Sequence, residues 1–424
     1  MLSSGLVSSR RAFRLLFAGA YGIESAGDDL PLLVMADLLR ARRPGVDLDL
    51  RVLSRHPDNG DAERLGVTTV QNLEHASREA ARGRWFNGLN PGDDTAALER
   101  VTAEVRACDA FVLGAGNWMI DLDIGLLRGP VPLLALYTFL ARLFHRPVFL
   151  YGMSAGPLRT DRGRDLCRWV VEEADVVTVR DRSSRDLLAS LLAEPREIAL
   201  LPDVTLAARP SPPERAVEVL AREGIEKRPG ARWLALGLRD LSVALAGDAL
   251  ENAWRELAAF CERASAEHEV LFVPQCTYRD DDDRATARRF ATRLGRGVRC
   301  HFVEERLHPT DVAGLYGLCD AAVAVRLHAA VFAVLARVPV AAIEYLPKVR
   351  GFMESVGLGD QVVGVERLDQ IEAALDRARS RAGDGTLDAR LGEAAREAGR
   401  YADLLLDLLK RSPGSGETPG VKES

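Results

Sequence analysis

Three side chains that suit an anionic ligand, Arg326, His328 and Lys348, stand beside apolar runs in the second half of the chain. The run at 321–325 has the length and composition of a buried parallel strand, and the residues at 328–337 have helical spacing. Arg326 and His328 then lie where a strand meets a helix. Open α/β sheets bind ligands there, and free backbone N–H groups attract anions. The three residues predict a site for an anionic substrate, although capping and solubilising a loop would also account for Arg326 and His328.

Carboxylates and a second arginine extend the set of candidate residues. Asp28 and Asp29 begin the first predicted helix, where they either complement the helix dipole or act on the proton of a sugar hydroxyl. Arg239 ends an otherwise apolar strand and is therefore a candidate ligand of the substrate. The acidic run 280–283 lacks the spacing of a calcium-binding loop, and we expect a solvated helix start there rather than a metal site.

Glycine-rich or polar segments follow four predicted strands in the first half. Glycines let a backbone approach a ligand closely, and tight turns are the alternative use of the same residues. No segment has the spacing of a dinucleotide-binding or Walker A motif, so a nucleotide cofactor is only weakly supported. The segments are Gly19–Asp29, Gly114–Asn117, Gly152–Pro157 and Arg180–Ser183.

Strands that alternate with helices must position these residues, and this alternation predicts parallel sheets covered on both faces. The chain divides into two doubly wound α/β halves, 1–206 and 231–411. They are joined by a linker at 207–230, whose proline-rich ends flank one predicted helix, and are followed by a disordered tail at 412–424. We expect residues 55–93 to be irregular and the two halves to face a cleft that holds the site. The predicted strands are 14–20, 47–54, 110–116, 147–156, 175–181, 197–203, 233–240, 269–276, 298–305, 321–325, 340–345 and 361–368.

Composition excludes several classes of protein. The net charge of −6 over 424 residues argues against a dedicated nucleic-acid binder. Six single cysteines show neither metal-ligand nor disulfide spacing, which is typical of a reducing cytoplasm. The most apolar window, 131–150, is interrupted by Arg142, His145 and Arg146 and does not read as a membrane span. We therefore expect a cytoplasmic protein and leave membrane association open.

The motifs, taken in order over residues 14–360, resemble those of the polysaccharide pyruvyl transferase family. The first loop lacks the asparagine of the family's glycine–aspartate element, and residues 55–93 differ most from the family. The motifs that carry the resemblance are Ser25-Ala-Gly-Asp-Asp29, Gly114-Ala-Gly116, Ser154-Ala-Gly-Pro157, Arg180-Asp-Arg-Ser-Ser184, Pro202-Asp203, Arg239, Arg326-Leu-His-Ala329, Val338-Pro339 and Tyr345-Leu-Pro-Lys348.

The resemblance implies a GT-B-like fold and the transfer of a pyruvyl group from phosphoenolpyruvate to sugar hydroxyls, commonly as a ketal. It also implies that Arg326, Leu327, His328 and Arg239 contact phosphoenolpyruvate, and the planar arginine forks suit its phosphate and carboxylate. We expect Lys348 to join them and His328 to protonate the enol carbon, although the charge state of its ring stays open. Neither a metal nor a cofactor is required by this scheme.

The acceptor side of the predicted reaction belongs to the first half. Asp28 or Asp29 would deprotonate the hydroxyl of a sugar or glycan precursor. Contact with a lipid-linked acceptor and homo-oligomer formation are left open, and no nucleic-acid partner is expected. The residues expected to line the acceptor site are Gly22, Gly116, Asn117, Gly156 and Arg180.

Two other functions remain open at this point. A glycosyltransferase of the same architecture would use Glu344 for a nucleotide ribose and Arg326 or Lys348 for a diphosphate. A non-catalytic carbohydrate-binding protein would keep the fold and tolerate replacement of His328.

Overall fold

A computed structural model describes residues 12–73, 95–121 and 129–411 of the protein. These residues form two compact α/β units. The first comprises the residues up to Ile23, Leu32–Leu201 and the residues from Gly399 onward, and the second comprises Glu24–Pro31 and Pro202–Ala398. Two doubly wound units confirm the predicted fold class.

The first unit is built on a seven-stranded sheet in which every pairing is parallel and the strands follow the order β3-β2-β1-β4-β5-β6-β7. The order reverses between β1 and β4, which is where Rossmann-like sheets leave room for a ligand. The strands are β1 (Phe13–Ala18), β2 (Leu48–Ser54), β3 (Thr68–Gln71), β4 (Ala110–Met119), β5 (Val148–Ala155), β6 (Val176–Val179) and β7 (Ala199–Leu200). The helices between them are α1 (Ala26–Arg42), α2 (Asp61–Leu65), α3 (Thr95–Ala107), α4 (Pro130–Leu143), α5 (Asp161–Glu173) and α6 (Arg182–Leu191).

The second unit repeats this plan with a six-stranded parallel sheet in the order β10-β9-β8-β11-β12-β13, and here the order reverses between β8 and β11. The strands are β8 (Arg232–Gly237), β9 (His268–Phe272), β10 (Cys300–Phe302), β11 (Ala321–Ala324), β12 (Val340–Glu344) and β13 (Val362–Gly364). The helices are α7 (Pro213–Arg222), α8 (Gly247–Ala264), α9 (Asp283–Ala291), α10 (Pro309–Tyr316), α11 (Leu327–Leu335), α12 (Pro347–Ser355), α13 (Ile371–Ser380) and the first part of α14 (Thr386–Arg411). The residues of α14 from Gly399 onward group with the first unit and not, as predicted, with the second.

The central strands form because they are apolar on both faces. All four residues of β11 are buried, and β9 is buried along its whole length, as expected of parallel strands covered by helices on both sides. Local signals set the helix ends. Pro309 and Pro347 stand at the first positions of α10 and α12, where a missing N–H costs no hydrogen bond. The strand ends, and hence the loops that follow them, are therefore held in place by a rigid core.

The structure differs from the predicted organisation in several places. The segment predicted to be irregular contains α2 and β3, so that prediction is wrong for these residues, and its later part, 74–93, lies outside the described residues. The helix expected within the predicted linker is α7, and it packs within the second unit. Residues Glu24–Pro31 group with the second unit and not the first, because their backbone pairs with a loop of that unit. The predicted disordered tail, 412–424, also lies outside the described residues.

Candidate active site

A buried ion pair joins Arg326, which follows β11, to Asp283, the first residue of α9. The Nε of Arg326 donates to both carboxylate oxygens of Asp283, at 2.7 and 2.8 Å. One of those oxygens also accepts the backbone N–H groups of Gln275 and Cys276, each at 2.9 Å. Burial raises the pKa of Asp283 to about 6, against the opposing effect of the Arg326 charge and the two N–H groups. Burial thus favours the neutral carboxyl, while the arginine and the two N–H groups favour the carboxylate.

Asp281 connects this pair to a second arginine. Its Oδ1 lies 2.9 Å from Nη2 of Arg326, and its Oδ2 accepts a hydrogen bond of 3.1 Å from Nη2 of Arg239. Arg239 follows β8 and Arg326 follows β11, the two neighbouring strands at which the sheet order reverses. One carboxylate thus holds two guanidinium groups together at the edge where open α/β sheets bind ligands.

Tyr345, just after β12, lies beside two cations. Its hydroxyl accepts a hydrogen bond of 3.1 Å from Nη1 of Arg239, whose guanidinium carbon lies 5.3 Å from the ring centroid. The Nζ of Lys348 lies 5.7 Å from the same centroid. Cations are attracted to aromatic rings at such distances. The tyrosine therefore helps to bring Lys348 and Arg239 to one place.

His328 is the exception on an apolar helix. Every other residue of α11 is buried, whereas His328 is partly exposed. Its ring packs against Gly27 in the first turn of α1, and a methyl group on Gly27 would lie 1.9 Å from Cγ and 2.1 Å from Nδ1. Only glycine at position 27 therefore permits this placement of the imidazole.

The start of α1 is held beside His328 by backbone pairing within the second unit. The N–H of Ala26 donates to the carbonyl of Gln275 at 2.8 Å, and the N–H of Thr277 donates to the carbonyl of Glu24 at 2.9 Å. This short antiparallel pairing determines where the following residues lie. Asp28 and Asp29 are next in the chain. Asp29 is fully buried, and Asp28 is partly exposed.

In the first unit, the predicted glycine segments lie at the carboxyl ends of β1, β4 and β5. The carbonyl of Gly22 accepts hydrogen bonds from Ser54 Oγ at 2.9 Å and Asn59 Nδ2 at 3.2 Å. Gly116 lies inside β4, since that strand continues to Met119, three residues beyond its predicted end. The pairing of β4 with β5 shifts register after this glycine. Asn117 is exposed, and its Nδ2 donates to the carbonyl of Gly156 at 3.4 Å.

Arg180 belongs to a hydrogen-bonded group at the ends of β5 and β6. Its Nε donates to Ser154 Oγ at 2.8 Å, and that hydroxyl donates to Asp181 Oδ2 at 3.0 Å. The other oxygen of Asp181 caps α6 by accepting the N–H of Ser184 at 2.7 Å. Burial would raise the pKa of Asp181, but hydrogen bonds from the serines outweigh it and lower the pKa. This group presents a fixed array of polar atoms next to the Gly156 loop.

Asp121 anchors the loop that follows Gly156. One carboxylate oxygen accepts the N–H of Arg159 at 2.7 Å and both the N–H and the hydroxyl of Thr160, at 2.6 and 2.9 Å. Burial would raise the pKa of Asp121, but these hydrogen bonds outweigh it and lower the pKa below its ordinary value. Thr160 caps α5 in turn, so one buried carboxylate sets the position of both loop and helix.

The predicted site residues thus fall into two groups, one in each unit. Leu327 is a special case, because its side chain is buried and only its backbone is available to a substrate. The second unit contains Arg239, Arg326, Leu327, His328, Lys348, Asp28 and Asp29, and the first contains Gly22, Gly116, Asn117, Gly156 and Arg180.

Three contributors to the second group had no role assigned from the sequence: Asp281, Asp283 and Tyr345. The expectation of a solvated helix start at 280–283 is wrong for Asp283, whose side chain is 2% exposed. The signal for the two aspartates was the acidic run 280–283, which follows β9 in a chain that has Arg239 after β8 and Arg326 after β11. Which acid meets which arginine depends on strand order.

The rival use of Glu344 as a ribose ligand is not favoured by its contacts. Its Oε2 accepts a hydrogen bond of 2.8 Å from Nε of Arg350 and lies 2.7 Å from Nη2 of the same residue. Among the described residues, no group of three or more metal-ligating side chains comes together. Within the same part of the chain, no helix has both the length and the apolar character needed to cross a membrane.

Solved structures with a similar fold include a sugar epimerase and a sugar phosphate synthase. UDP-GlcNAc 2-epimerase from Methanocaldococcus jannaschii is 11% identical, with a TM-score of 0.54 over 93% of this chain and 99% of that chain. A trehalose 6-phosphate synthase from Burkholderia multivorans is 12% identical, with a TM-score of 0.51 over 95% of this chain and 98% of that chain. At such identities the likeness shows the fold, and it confirms the GT-B-like class.

Sequence comparison is more specific. The amylovoran biosynthesis protein AmsJ of Erwinia amylovora is 20% identical over 387 residues, which cover 84% of this chain and 89% of that protein. The family model for polysaccharide pyruvyl transferases matches residues 26–347, from the first turn of α1 to the first residue of α12. This match spans most of the chain and, apart from Gly22 and Lys348, all the site residues of both groups. The chain therefore belongs to the polysaccharide pyruvyl transferase family and is a transferase.

Proposed function

We propose that the protein transfers the pyruvyl group of phosphoenolpyruvate to hydroxyls of a sugar during polysaccharide synthesis and forms a pyruvate ketal. The observation that carries this proposal is the pairing of Arg239 and Arg326 about Asp281 at the ends of two adjacent strands. Phosphoenolpyruvate has a phosphate and a carboxylate on one three-carbon unit. Two guanidinium forks and the nearby Lys348 offer complementary charge for both groups.

Ketal formation requires two bond-forming events at C2 of the donor. One sugar hydroxyl adds to C2 while C3 gains a proton and becomes a methyl group. A second hydroxyl then replaces the phosphate at C2 and loses its own proton. The two protons from the sugar hydroxyls are thereby balanced by one on the methyl group and one on the released phosphate. Neither an oxidant nor a further cofactor enters this balance.

His328 is the group that we assign to protonation of C3. Imidazole exchanges a proton near neutral pH, and His328 is the partly exposed residue of an otherwise buried helix, two residues after Arg326. Of the two candidate bases, Asp28 is favoured over Asp29 because a fully buried carboxylate is less accessible to a sugar hydroxyl. The cations would stabilise the phosphate as it leaves.

The acceptor is a sugar hydroxyl pair on a polysaccharide or its precursor, as the family implies. We assign its binding to the carboxyl edge of the first sheet, where backbone carbonyls, Asn117 and the Arg180 group provide hydrogen-bonding atoms. The similarity to AmsJ, a protein of amylovoran biosynthesis, together with the family, supports a role in polysaccharide synthesis, and an exopolysaccharide as the product stays a prediction. The predicted cytoplasmic location and contact with a lipid-linked acceptor stay predictions.

The test is incubation with phosphoenolpyruvate and a panel of sugar and lipid-linked acceptors, with phosphate release and acceptor mass as readouts. We expect phosphate release only with a suitable acceptor, and an acceptor mass increased by one pyruvyl ketal. In deuterated water the new methyl group should carry one deuterium. A parallel panel of nucleotide sugars tests the glycosyltransferase alternative. Binding and turnover of a nucleotide sugar, with no binding of phosphoenolpyruvate, would overturn the proposal.

A further inference from the structure

Asp281 occupies the position between the two arginines that an anionic donor would need. Its two carboxylate oxygens contact Nη2 of Arg326 at 2.9 Å and Nη2 of Arg239 at 3.1 Å. We propose that Asp281 is an internal competitor of the donor: its carboxylate must leave the arginines before phosphoenolpyruvate binds, so Asp281 sets donor affinity. This inference rests on the proposed function.

Two carboxylates contact Arg326, and only Asp281 has the surroundings of a displaceable group. Asp283 is 2% exposed and is held by two backbone N–H groups in addition to the arginine. The side chain of Asp281 is 30% exposed. Its carboxylate forms ion pairs with Arg239 and Arg326 and accepts no backbone N–H among the hydrogen bonds of the described residues, while its backbone carbonyl accepts a hydrogen bond of 3.0 Å from Nη2 of Arg326. Asp283 is therefore a permanent counter-charge, whereas Asp281 can turn towards solvent.

Competition between Asp281 and phosphoenolpyruvate follows from the negative charge of both and from the place of Asp281 on the two guanidinium groups. Nη2 of Arg326 already serves two acceptors of Asp281, its carboxylate at 2.9 Å and its backbone carbonyl at 3.0 Å. A phosphate or carboxylate that binds both arginines would come up against the Asp281 carboxylate, and like charges in such proximity repel each other. The free energy needed to release Asp281 from the arginines then weakens the observed binding free energy of phosphoenolpyruvate by the same amount.

The same carboxylate would also have a use whenever no donor is bound. It keeps the positive charges of Arg239 and Arg326 from repelling each other and holds both side chains in place. It would also return to the arginines when phosphate leaves, which favours product release. A simple preorganising role, by contrast, would make Asp281 helpful to donor binding, so the two roles predict opposite effects of neutralising it.

The experiment compares full-length wild-type protein with Asp281→Asn, using calorimetric titration of phosphoenolpyruvate and, separately, of inorganic phosphate. We expect Asp281→Asn to bind both about tenfold more tightly, a change of about 1.4 kcal/mol. Asp280→Asn is the matched control, because it removes the same charge one residue earlier. Asp280 is exposed and lies against Arg279, not against the paired arginines. Asp281→Glu keeps the competing charge and should stay near the wild-type affinity.

Each result of the Asp281→Asn titration either supports or overturns the competition between Asp281 and the donor. Tighter binding by Asp281→Asn but not by Asp280→Asn supports the inference. Equal or weaker binding by Asp281→Asn, with a melting temperature near that of wild type, overturns it while the proposed function stands. If Asp281→Asn fails to fold, Asp281→Ala at the same site is measured in its place and judged by the same criterion. If neither wild type nor the variants bind phosphoenolpyruvate, the proposed function fails and this inference fails with it.

Discussion

The guanidinium of Arg326 and the carboxylate of Asp283 form an ion pair whose two side chains are 11% and 2% exposed. Taking two charges out of water costs free energy, and only close geometry and further hydrogen bonds offset that cost. The pair therefore adds little stability as a unit. Its consequence is positional: it keeps a charged arginine at the end of β11, where a ligand can reach the remaining N–H groups.

Removing one partner of this pair should be strongly destabilising. Asp283→Ala would leave the Arg326 charge buried and without its main counter-charge, at a cost of about 3 to 5 kcal/mol in the free energy of unfolding. Urea unfolding monitored by circular dichroism measures this loss. The control is Asp280→Ala, on the exposed side of the same run, which should change stability by about 0.5 kcal/mol or less. Equal effects of the two substitutions would contradict the structural role of the pair.

Gly27 should be irreplaceable because of His328. The methyl group of Gly27→Ala would lie 1.9 Å from His328 Cγ, so the ring or the start of α1 must move. Overpacking of this kind costs about 1 to 3 kcal/mol, and misplacement of a reacting group lowers turnover on the order of a hundredfold. Gly351→Ala on α12 is the matched control, since a methyl group there meets no atom within 4 Å. Full activity of Gly27→Ala would show that His328 has no required position.

His328→Asn should separate binding from chemistry. The amide keeps a similar size but cannot deliver a proton, and loss of general-acid catalysis lowers kcat by about 100- to 10,000-fold. The affinity for phosphoenolpyruvate, measured by calorimetry, should change much less. His145→Asn is a suitable control, because His145 is exposed and has a φ of 53°, a backbone conformation that asparagine tolerates. If the protein only binds carbohydrate and has no catalytic role, both variants should bind carbohydrate as wild type does, and no turnover should be lost.

Arg239→Lys tests the planar fork at the donor site. Lysine keeps the charge but cannot contact Asp281 and Tyr345 at once as the guanidinium does. Loss of one charge-assisted hydrogen bond is worth about 1.5 to 3 kcal/mol, so KM for phosphoenolpyruvate should rise roughly tenfold to a hundredfold. Steady-state phosphate release measures KM. Arg289→Lys, an exposed arginine paired with Asp240, should leave KM unchanged.

Asp121 gives a pH dependence whose sign can be stated. Its pKa is lower in the folded protein than the ordinary value of 3.8, so its stabilisation is fully present above that value and is lost as pH falls through the folded pKa. Asp121→Asn should lower the free energy of unfolding by about 1 to 3 kcal/mol at neutral pH. The difference from wild type should shrink below pH 3.8. Asp165→Asn, an exposed substitution on α5, should show no such pH-dependent difference.

Much of the architecture could be predicted because it depends on neighbouring residues in the chain. Continuous apolar runs such as 321–325 mark strands buried on both faces. Pro339 correctly indicated that the helix stops before β12, although α11 already ends at Leu335. Strands without an apolar run cannot be predicted in this way. The strand β3, with the sequence Thr-Thr-Val-Gln, is an example, because none of its residues is buried and none needs to be apolar.

The sequence by itself determined the two α/β units, the family and the residue types of the donor site: Arg239, Arg326, His328 and Lys348. The tertiary structure decided how these residues are paired. Asp281 and Asp283 meet the arginines, and Gly27 meets His328, because strands and loops far apart in the chain become neighbours. Periodicity reports only which face of an element is buried. Contacts between distant residues depend on the order in which strands pair, and that order is a property of the whole fold.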